Sequence, residues 1–284
     1  MRAGSVQQNL QDAVARLEGA GIPEARLKAE WVMASVLGCP RLELPLRRED
    51  ALPSPARFDG SIAALAGGQP LQYVLGETQF MGLSLACDAR ALIPRPETEE
   101  LVQAMLDHPR LWRRSRPAIL DVGTGTGCII LALAHARPHA DYEAVDSSAA
   151  ALELAEENAR RLHRAARIRF RPGDLLKGVL PRSLDAVVSN PPYIATEEWS
   201  RLPRWIRDAE PREALEGGPD GLAVIRALIP QAFTALRPGG ILFMEMGSGQ
   251  SARVERLVVN AGFSSVLIRR DLAGHERIAM AEKA

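Results

Sequence analysis

Lysine is almost missing from this chain. Only Lys28, Lys177 and Lys283 occur, so arginine carries nearly all of the positive charge. Net charge is missing too, since 35 basic side chains meet 35 acidic ones. That argues against a protein whose main task is gripping nucleic acid phosphates, which needs a strongly basic domain. The balance also holds locally: residues 1–90 contain nine basic and ten acidic side chains. Cysteine is scarce. Cys39, Cys87 and Cys128 lie far apart and form no C-x-x-C pair, which points to a reducing compartment and away from a zinc site. His135 and His139 have helical i, i+4 spacing, but Pro138 separates them and no third ligand accompanies them, so no metal is expected. Long apolar runs are lacking as well. The longest, Cys128 to Ala134, is far too short to cross a bilayer, and the opening MRAGSVQQNLQDAV has no signal-peptide apolar region. A cytoplasmic protein without a membrane partner is expected.

What is present is ample for a fold. A chain of 284 residues, 46% of them hydrophobic, can bury roughly three-quarters of its unfolded surface and needs no covalent staples. Residues 5–66 read as helices. Val6, Leu10, Val14 and Leu17 recur at helical spacing, Pro23 restarts the pattern, and Ser54-Pro55 reads as an N-cap followed by Pro at the first helical position. The segment GETQFMGLSLACD then alternates and turns near Gly82, as a β-hairpin does. Pro94 and Pro96 stiffen a loop before an acidic first helical turn. The spacing predicts a helical domain over residues 1–75, a hairpin and linker over 76–96 (the linker centred on 88–96), and a second domain over 97–284.

From Pro117 onward strands and helices alternate. AILDVG, YEAVD, IRFRPGD, LDAVVSN and ILFMEMG read as strands, with apolar or amphipathic helices between them. This predicts an α/β domain with a mostly parallel sheet covered on both faces. SSVLIRRD and ERIAMAEK would close it as an antiparallel C-terminal edge.

Two strand ends carry the chemistry. The first runs into Gly123-Thr124-Gly125-Thr126-Gly127 and then a helix. Glycines let backbone approach a ligand, and a helix N-terminus offers free N–H groups. The G-x-G-x-G spacing is not the G-x-G-x-x-G of dinucleotide sites, and no G-K-[ST] follows, so a P-loop is excluded. The next strand ends in Asp146, at the distance where an acid binds ribose hydroxyls. Asp121 either supports the loop or attracts the positive end of a cofactor. The second strand end is Asn190-Pro191-Pro192-Tyr193. Two prolines remove two N–H donors, so this corner presents acceptors only. Paired acceptors suit a planar –NH2 group, whose nitrogen is a poor nucleophile until both of its hydrogens are gripped. Tyr193 would pack against that group.

The glycine loop and its acid resemble those of the class I S-adenosylmethionine-dependent methyltransferases, which implies a Rossmann-like sheet. It also implies that Asp174 accepts from the adenine amine and that Leu175 covers a ring face. Asn-Pro-Pro-Tyr is similar to the signature of methyltransferases acting on planar nitrogen. With PLQYVLGETQFMGLSL, Ile93-Pro94-Arg95-Pro96-Glu97-Thr98-Glu99-Glu100, Glu210-Pro211-Arg212-Glu213-Ala214-Leu215 and Asp271-Leu272-Ala273-Gly274, nearly the whole chain resembles the peptide chain release factor glutamine methyltransferases (HemK/PrmC type). That resemblance implies methyl transfer from S-adenosylmethionine, leaving S-adenosylhomocysteine, to the glutamine of a Gly-Gly-Gln loop in class 1 release factors, a step bearing on translation termination. The helical domain would hold the release factor. Asn190, Pro191, Pro192 and Tyr193 would bind the substrate amide and carry the catalysis. Gly123 to Gly127, Asp146, Asp174, Leu175 and Asn190 would bind the cofactor. Family members often carry an aromatic where this chain has Leu175. Other readings are a ribosomal-protein glutamine methyltransferase, which shares Asn-Pro-Pro-Tyr but lacks the Arg-Pro-Glu-Thr-Glu wording, an adenine amino methyltransferase on DNA or RNA, and a cofactor-binding regulator without catalysis. No direct nucleic acid contact is expected.

Overall fold

A computed structural model of the chain describes residues 4–284. The chain forms two compact units. One runs up to Glu77 and includes Pro203–Ala209, and the other comprises Thr78–Leu202 and Glu210–Ala284. The division falls upstream of the 88–96 stretch read as a linker, which belongs to the second unit.

The first unit is helical. Helix α1 (Val6–Gly19) opens with the Ser5 hydroxyl accepting from the Gln8 N–H. Helix α2 (Ala25–Leu37) ends at Gly38 in the left-handed region. A tighter helical stretch, Arg41–Arg47, leads to α3 (Pro55–Ala66) and the single-turn α4 (Leu71–Leu75). Pro55 does take the first position of α3, but the Ser54 side chain makes no capping bond, because its backbone is not in the extended conformation that aims a cap. Leu17, Met33, Phe58, Ile62 and Leu65 fill the core of this unit.

The second unit begins with the expected hairpin. Strands β1 (Glu77–Phe80) and β2 (Leu83–Ala86) are joined by Met81-Gly82, both with positive φ, as a tight two-residue hairpin turn requires. The Met81 N–H is held by Glu99 Oε1 at 2.7 Å, from the first turn of α5 (Pro96–Leu106).

The main sheet follows in strict alternation: β3 (Ala118–Val122), α6 (Cys128–Ala136), β4 (Asp141–Asp146), α7 (Ala149–Arg161), β5 (Ile168–Pro172) and β6 (Leu184–Ser189). After α8 (Arg204–Arg207), which falls in the first unit, come α9 (Ala223–Ala235), β7 (Leu236–Glu245), α10 (Ser251–Asn260), β8 (Ser265–Arg270) and β9 (Glu276–Glu282). The spatial order is β5-β4-β3-β6-β7-β9-β8. The first five strands are parallel, and β9 is antiparallel to both β7 and β8, as the sequence pattern predicts.

Side chains alternate across the sheet with period two. Ile119, Ala186 and Phe243 pack toward α5 and α6, while Leu120, Val187 and Leu242 pack toward α9 and α10. The strand order reverses between β3 and β6. At such a switch point the loops diverge and leave a crevice beyond the carboxyl ends of the strands. No helix among the described residues is long and apolar enough to cross a membrane.

One buried side chain ties three pieces of this unit together. Asn158 of α7 accepts from the Ala86 N–H at 2.6 Å, and it donates to the carbonyls of Ala86 and Thr126 at 3.1 and 3.0 Å. It therefore joins the hairpin to the glycine loop. Truncating it leaves three buried backbone groups unpaired at about 1–3 kcal/mol each. Asn158→Ala is expected to lower unfolding free energy by at least about 3 kcal/mol in a urea titration.

Candidate active site

A cavity of about 420 Å³ occupies the crevice above β3 and β6. Segments 90–98, 122–126, 146–148, 173–175, 189–192 and 211–214 contribute to its wall. Of the residues singled out from the sequence, Gly123, Thr124, Gly125, Thr126, Asp146, Asp174, Leu175, Asn190, Pro191 and Pro192 all line it. Gly127 and Tyr193 do not.

Gly127 has a packing role. It opens α6 at φ 80°, and a Cβ there would lie 3.2 Å from the Ala155 Cβ of α7 and 3.1 Å from Leu131. The helix can sit this close to its neighbour only because nothing projects from that position. The loop is held from below and from the side. The Thr124 hydroxyl donates to Asp121 Oδ2 at 2.7 Å, and the Gly125 N–H donates to Asp146 Oδ2 at 2.9 Å. Asp146 Oδ1 accepts from the Ser148 N–H. Each oxygen of Asp146 has thus used one lone pair and keeps another for the cavity. Of the two roles open to Asp121, the structure favours support. It is fully buried beneath the loop and is not part of the wall.

Asp174 is exposed and pairs with Lys177. Leu175 follows at φ 53°, a left-handed conformation costing about 1 kcal/mol or more for a residue with a branched side chain. Its side chain packs against the core on one side and lines the cavity on the other. Thr126 lines the cavity with a buried hydroxyl oxygen that has no partner among the described residues. Burial pushes the thiol of Cys128, at the start of α6, up to about 12, so it stays protonated at neutral pH and is no nucleophile.

The Asn190–Tyr193 corner is held by groups the sequence pattern did not reveal. The Ile194 N–H donates to the Leu215 carbonyl, and the Gly217 N–H donates to the Ile194 carbonyl. Gln250 Nε2 donates to the Tyr193 carbonyl at 2.9 Å. Gly221 lies so close that a Cβ would fall 2.3 Å from the Tyr193 carbonyl oxygen. Asn190 Nδ2 donates to Thr98 Oγ1 at 3.0 Å, and the Thr98 hydroxyl donates to Glu245 Oε2 at 2.7 Å. The Tyr193 hydroxyl donates to the other oxygen of Glu245 at 3.2 Å. The ring packs against the core of this unit. Burial, reinforced by Glu245, holds the Tyr193 phenol above its usual range.

Across the cavity, Arg95 Nη2 pairs with Glu210 Oε1 at 2.5 Å, and Glu210 Oε2 accepts from the Ile93 N–H. This buried carboxylate clamps segment 93–95 to the 210–214 loop. Both partners stand in motifs visible in the sequence, but the pairing is a matter of topology.

Asp121 makes a pH prediction. Burial, reinforced by Asp146, raises its pKa from 3.8 to about 7. The folded state therefore holds this proton more tightly than the unfolded chain does. The resulting stability is intact below about pH 4 and is lost as pH rises through about 7. Asp121→Asn keeps an acceptor for Thr124. It is expected to raise the melting temperature at pH 8 relative to the parent, with the difference vanishing near pH 4 in a thermal-shift series.

Residues 98–219 match the methyltransferase small domain, and residues 8–76 match the PrmC N-terminal domain. The release factor glutamine methyltransferase of Moorella thermoacetica is 43% identical over 280 residues, 98% of each chain. That of Cereibacter sphaeroides is 41% identical over 274 residues, 96% of each chain. The crystal structure of a methyltransferase from Pyrococcus furiosus shares the fold with a TM-score of 0.55, covering 72% of this chain and 90% of that one at 19% identity. With family models matched in both units and relatives aligned over almost every residue, the chain belongs to the release factor glutamine methyltransferase family of S-adenosylmethionine-dependent enzymes.

Proposed function

We propose that the protein transfers a methyl group from S-adenosylmethionine to the side-chain amide nitrogen of the glutamine in the Gly-Gly-Gln loop of class 1 release factors. It would act in the cytoplasm, where translation ends. The observation that carries this reading is the corner at 190–192, whose two prolines carry no N–H, on the wall of a cavity built by a glycine loop and an acid. Neither Asn190 Oδ1 nor the Pro191 carbonyl accepts a hydrogen bond from another described residue, so both remain for a substrate.

The cavity fits the cofactor. Its volume lies in the usual range for ligands of that size. Asp146 offers acceptors for ribose hydroxyls, the loop amides offer donors for a carboxylate, and the unpartnered Thr126 hydroxyl supplies a further polar contact. Asp174 keeps one oxygen clear of Lys177 for an exocyclic amine. Leu175 gives an apolar but not aromatic face to a ring. Bound there, S-adenosylmethionine supplies an electrophilic methyl group on a positively charged sulfur.

The chain's own residues supply the rest. An amide nitrogen is inert because its lone pair is shared with the carbonyl. Asn190 Oδ1 and the Pro191 carbonyl would each accept one of its two hydrogens. That grip turns the lone pair out of conjugation and stabilises the positive charge growing on nitrogen. One contact of this type contributes roughly 3–4 kcal/mol. Holding nitrogen and methyl in line adds about 7–11 kcal/mol in favourable cases. Asn190 and Pro191 would present the nitrogen to the donor's methyl carbon, and the cofactor would supply a sulfonium leaving group that keeps the carbon–sulfur electron pair, with S-adenosylhomocysteine as the product. The methylated amide is then a strong acid and loses its extra proton without a dedicated base.

We assign release factor binding to the helical unit. It presents Leu42 and Leu46 at 82% and 85% exposure and a half-exposed Trp31.

Two outcomes are expected. Purified release factor should gain one methyl group on the loop glutamine by mass spectrometry, and a Gln→Ala loop variant should gain none. Equal labelling of that variant, or label in RNA instead, would overturn the assignment. Leu42→Ser combined with Leu46→Ser is expected to raise KM for release factor about tenfold, roughly 1.4 kcal/mol, while leaving kcat and cofactor affinity near parental values.

A further inference from the structure

The Asn190 amide can work only in one orientation. With Oδ1 toward the cavity it accepts from a substrate amide. Flipped by 180°, it would point its own –NH2 at the substrate –NH2, donor against donor. Nothing in the tetrapeptide decides between the two, because the prolines fix backbone and not the Asn side chain.

The structure assigns that decision to Thr98 and Glu245, two residues that touch neither reacting atom. We propose that they form a buried proton-ordering relay that keeps the carbonyl end of the Asn190 amide toward the substrate. This inference deepens the proposed reaction and rests on it.

Glu245 ends β7 with its side chain fully enclosed, 1% exposed. As a carboxylate it can only accept. It takes the Thr98 hydroxyl proton on one oxygen and the Tyr193 hydroxyl proton on the other. The Thr98 oxygen, its single proton committed, has only lone pairs left. It must therefore receive an N–H from Asn190, as the 3.0 Å contact shows. Two hydrogen bonds in series, with Tyr193 occupying the other carboxylate oxygen, thus translate a negative charge at the foot of the crevice into an acceptor at its wall. Thr98 sits in the first turn of α5, directly after Pro96-Glu97, so its position is set by the proline-led start of that helix.

Protonation of Glu245 reverses the logic. A neutral acid donates one proton. Given to Thr98, that proton frees the threonine hydroxyl to donate to Asn190, and the amide flips. The groups facing Glu245 are Glu97 and Thr98 of α5, Tyr193 at the strand end, Arg277 of β9 and Cys128 of α6. Burial raises the Glu245 pKa above the usual carboxylate range, and Glu97 adds to this. The two hydroxyls and Arg277 oppose it. The active form is the ionised one, so rate falls as pH drops through that raised pKa.

The test uses the full-length enzyme with release factor at saturating cofactor, so that changes at Asp121 and in cofactor binding do not enter. Thr98→Val keeps shape and removes the hydroxyl. It is expected to lower kcat about 10²-fold with little change in cofactor affinity, and to lower the melting temperature as well, since a Glu245 oxygen and the Asn190 –NH2 lose their partner; Thr98→Ser is expected to recover most of both losses. The acid limb of the kcat profile should disappear in Glu245→Gln, and in Glu97→Gln it should move to lower pH. Independently of any reaction, the Asn190 side-chain –NH2 resonance, identified by its absence in Asn190→Asp, should be protected from solvent exchange in the parent and in Thr98→Ser but not in Thr98→Val. If the parent enzyme methylates release factor but Thr98→Val stays within twofold of it, the relay is wrong while the reaction stands. Equal exchange protection in Thr98→Val, or a Thr98→Ser variant as slow as Thr98→Val, also overturns it. If the parent transfers no methyl to release factor, the reaction assignment fails, and the exchange measurement still decides the relay.

Discussion

The architecture of the crevice turns on a corner of backbone that cannot hold itself. Pro191 and Pro192 contribute no N–H, so the strand ladder that fixes β6 up to Ser189 stops there. The corner is held instead through its carbonyls, its side chains and the N–H of Ile194 just beyond it. The Tyr193 carbonyl goes to Gln250, the Ile194 carbonyl to Gly217, the Ser189 hydroxyl to the Val122 carbonyl, and the Asn190 amide to Thr98. The demand propagates outward. Gly221 must be glycine because its neighbour's carbonyl fills the place of a Cβ. The 210–221 loop must run against the corner, and Glu210 must anchor that loop to Arg95. A local choice of two prolines thus dictates residues from four distant parts of the chain.

Three buried carboxylates surround the cavity, and each meets the cost of burial differently. Glu210 has a partly exposed arginine and a backbone N–H. Glu245 has two hydroxyls and a more distant guanidinium, enough to order protons but not to cancel its charge. Asp121 has one hydroxyl and a bare oxygen, and it is the least compensated. An isolated buried charge is expensive, so groups like these persist where their work outweighs the loss. Here the work is to hold a glycine loop, clamp two walls together and orient an amide. The strained backbone of Leu175 belongs to the same pattern, a small cost carried at the wall of the ligand cavity.

Much of this was legible in the chain itself. Strand and helix periods are local properties, so the alternating elements and the antiparallel edge could be read from spacing. The glycine loop followed by Asp146, and Asn-Pro-Pro-Tyr after a strand, are likewise local and carry their chemistry in residue type. Local reading failed where one residue's job depends on another far away. Ser54 looks like a cap and is not one. Gly127 reads as a ligand contact, and the structure adds its close packing against Ala155. Tyr193 reads as a substrate contact, and the structure adds its bond to Glu245.

The sequence by itself determined which elements form, where ligand-facing turns fall, and that the two prolines of the reactive corner carry no N–H, because all of these follow from backbone chemistry over a few residues. Only the tertiary structure decided that Thr98 meets Glu245, that Asn158 joins the hairpin to the glycine loop, and that Arg95 meets Glu210. Those pairs lie between 32 and 147 positions apart. They meet because the strand order reverses between β3 and β6 and gathers loops from both halves of the sheet at one end, and no periodicity in the chain encodes which side chains will then face each other.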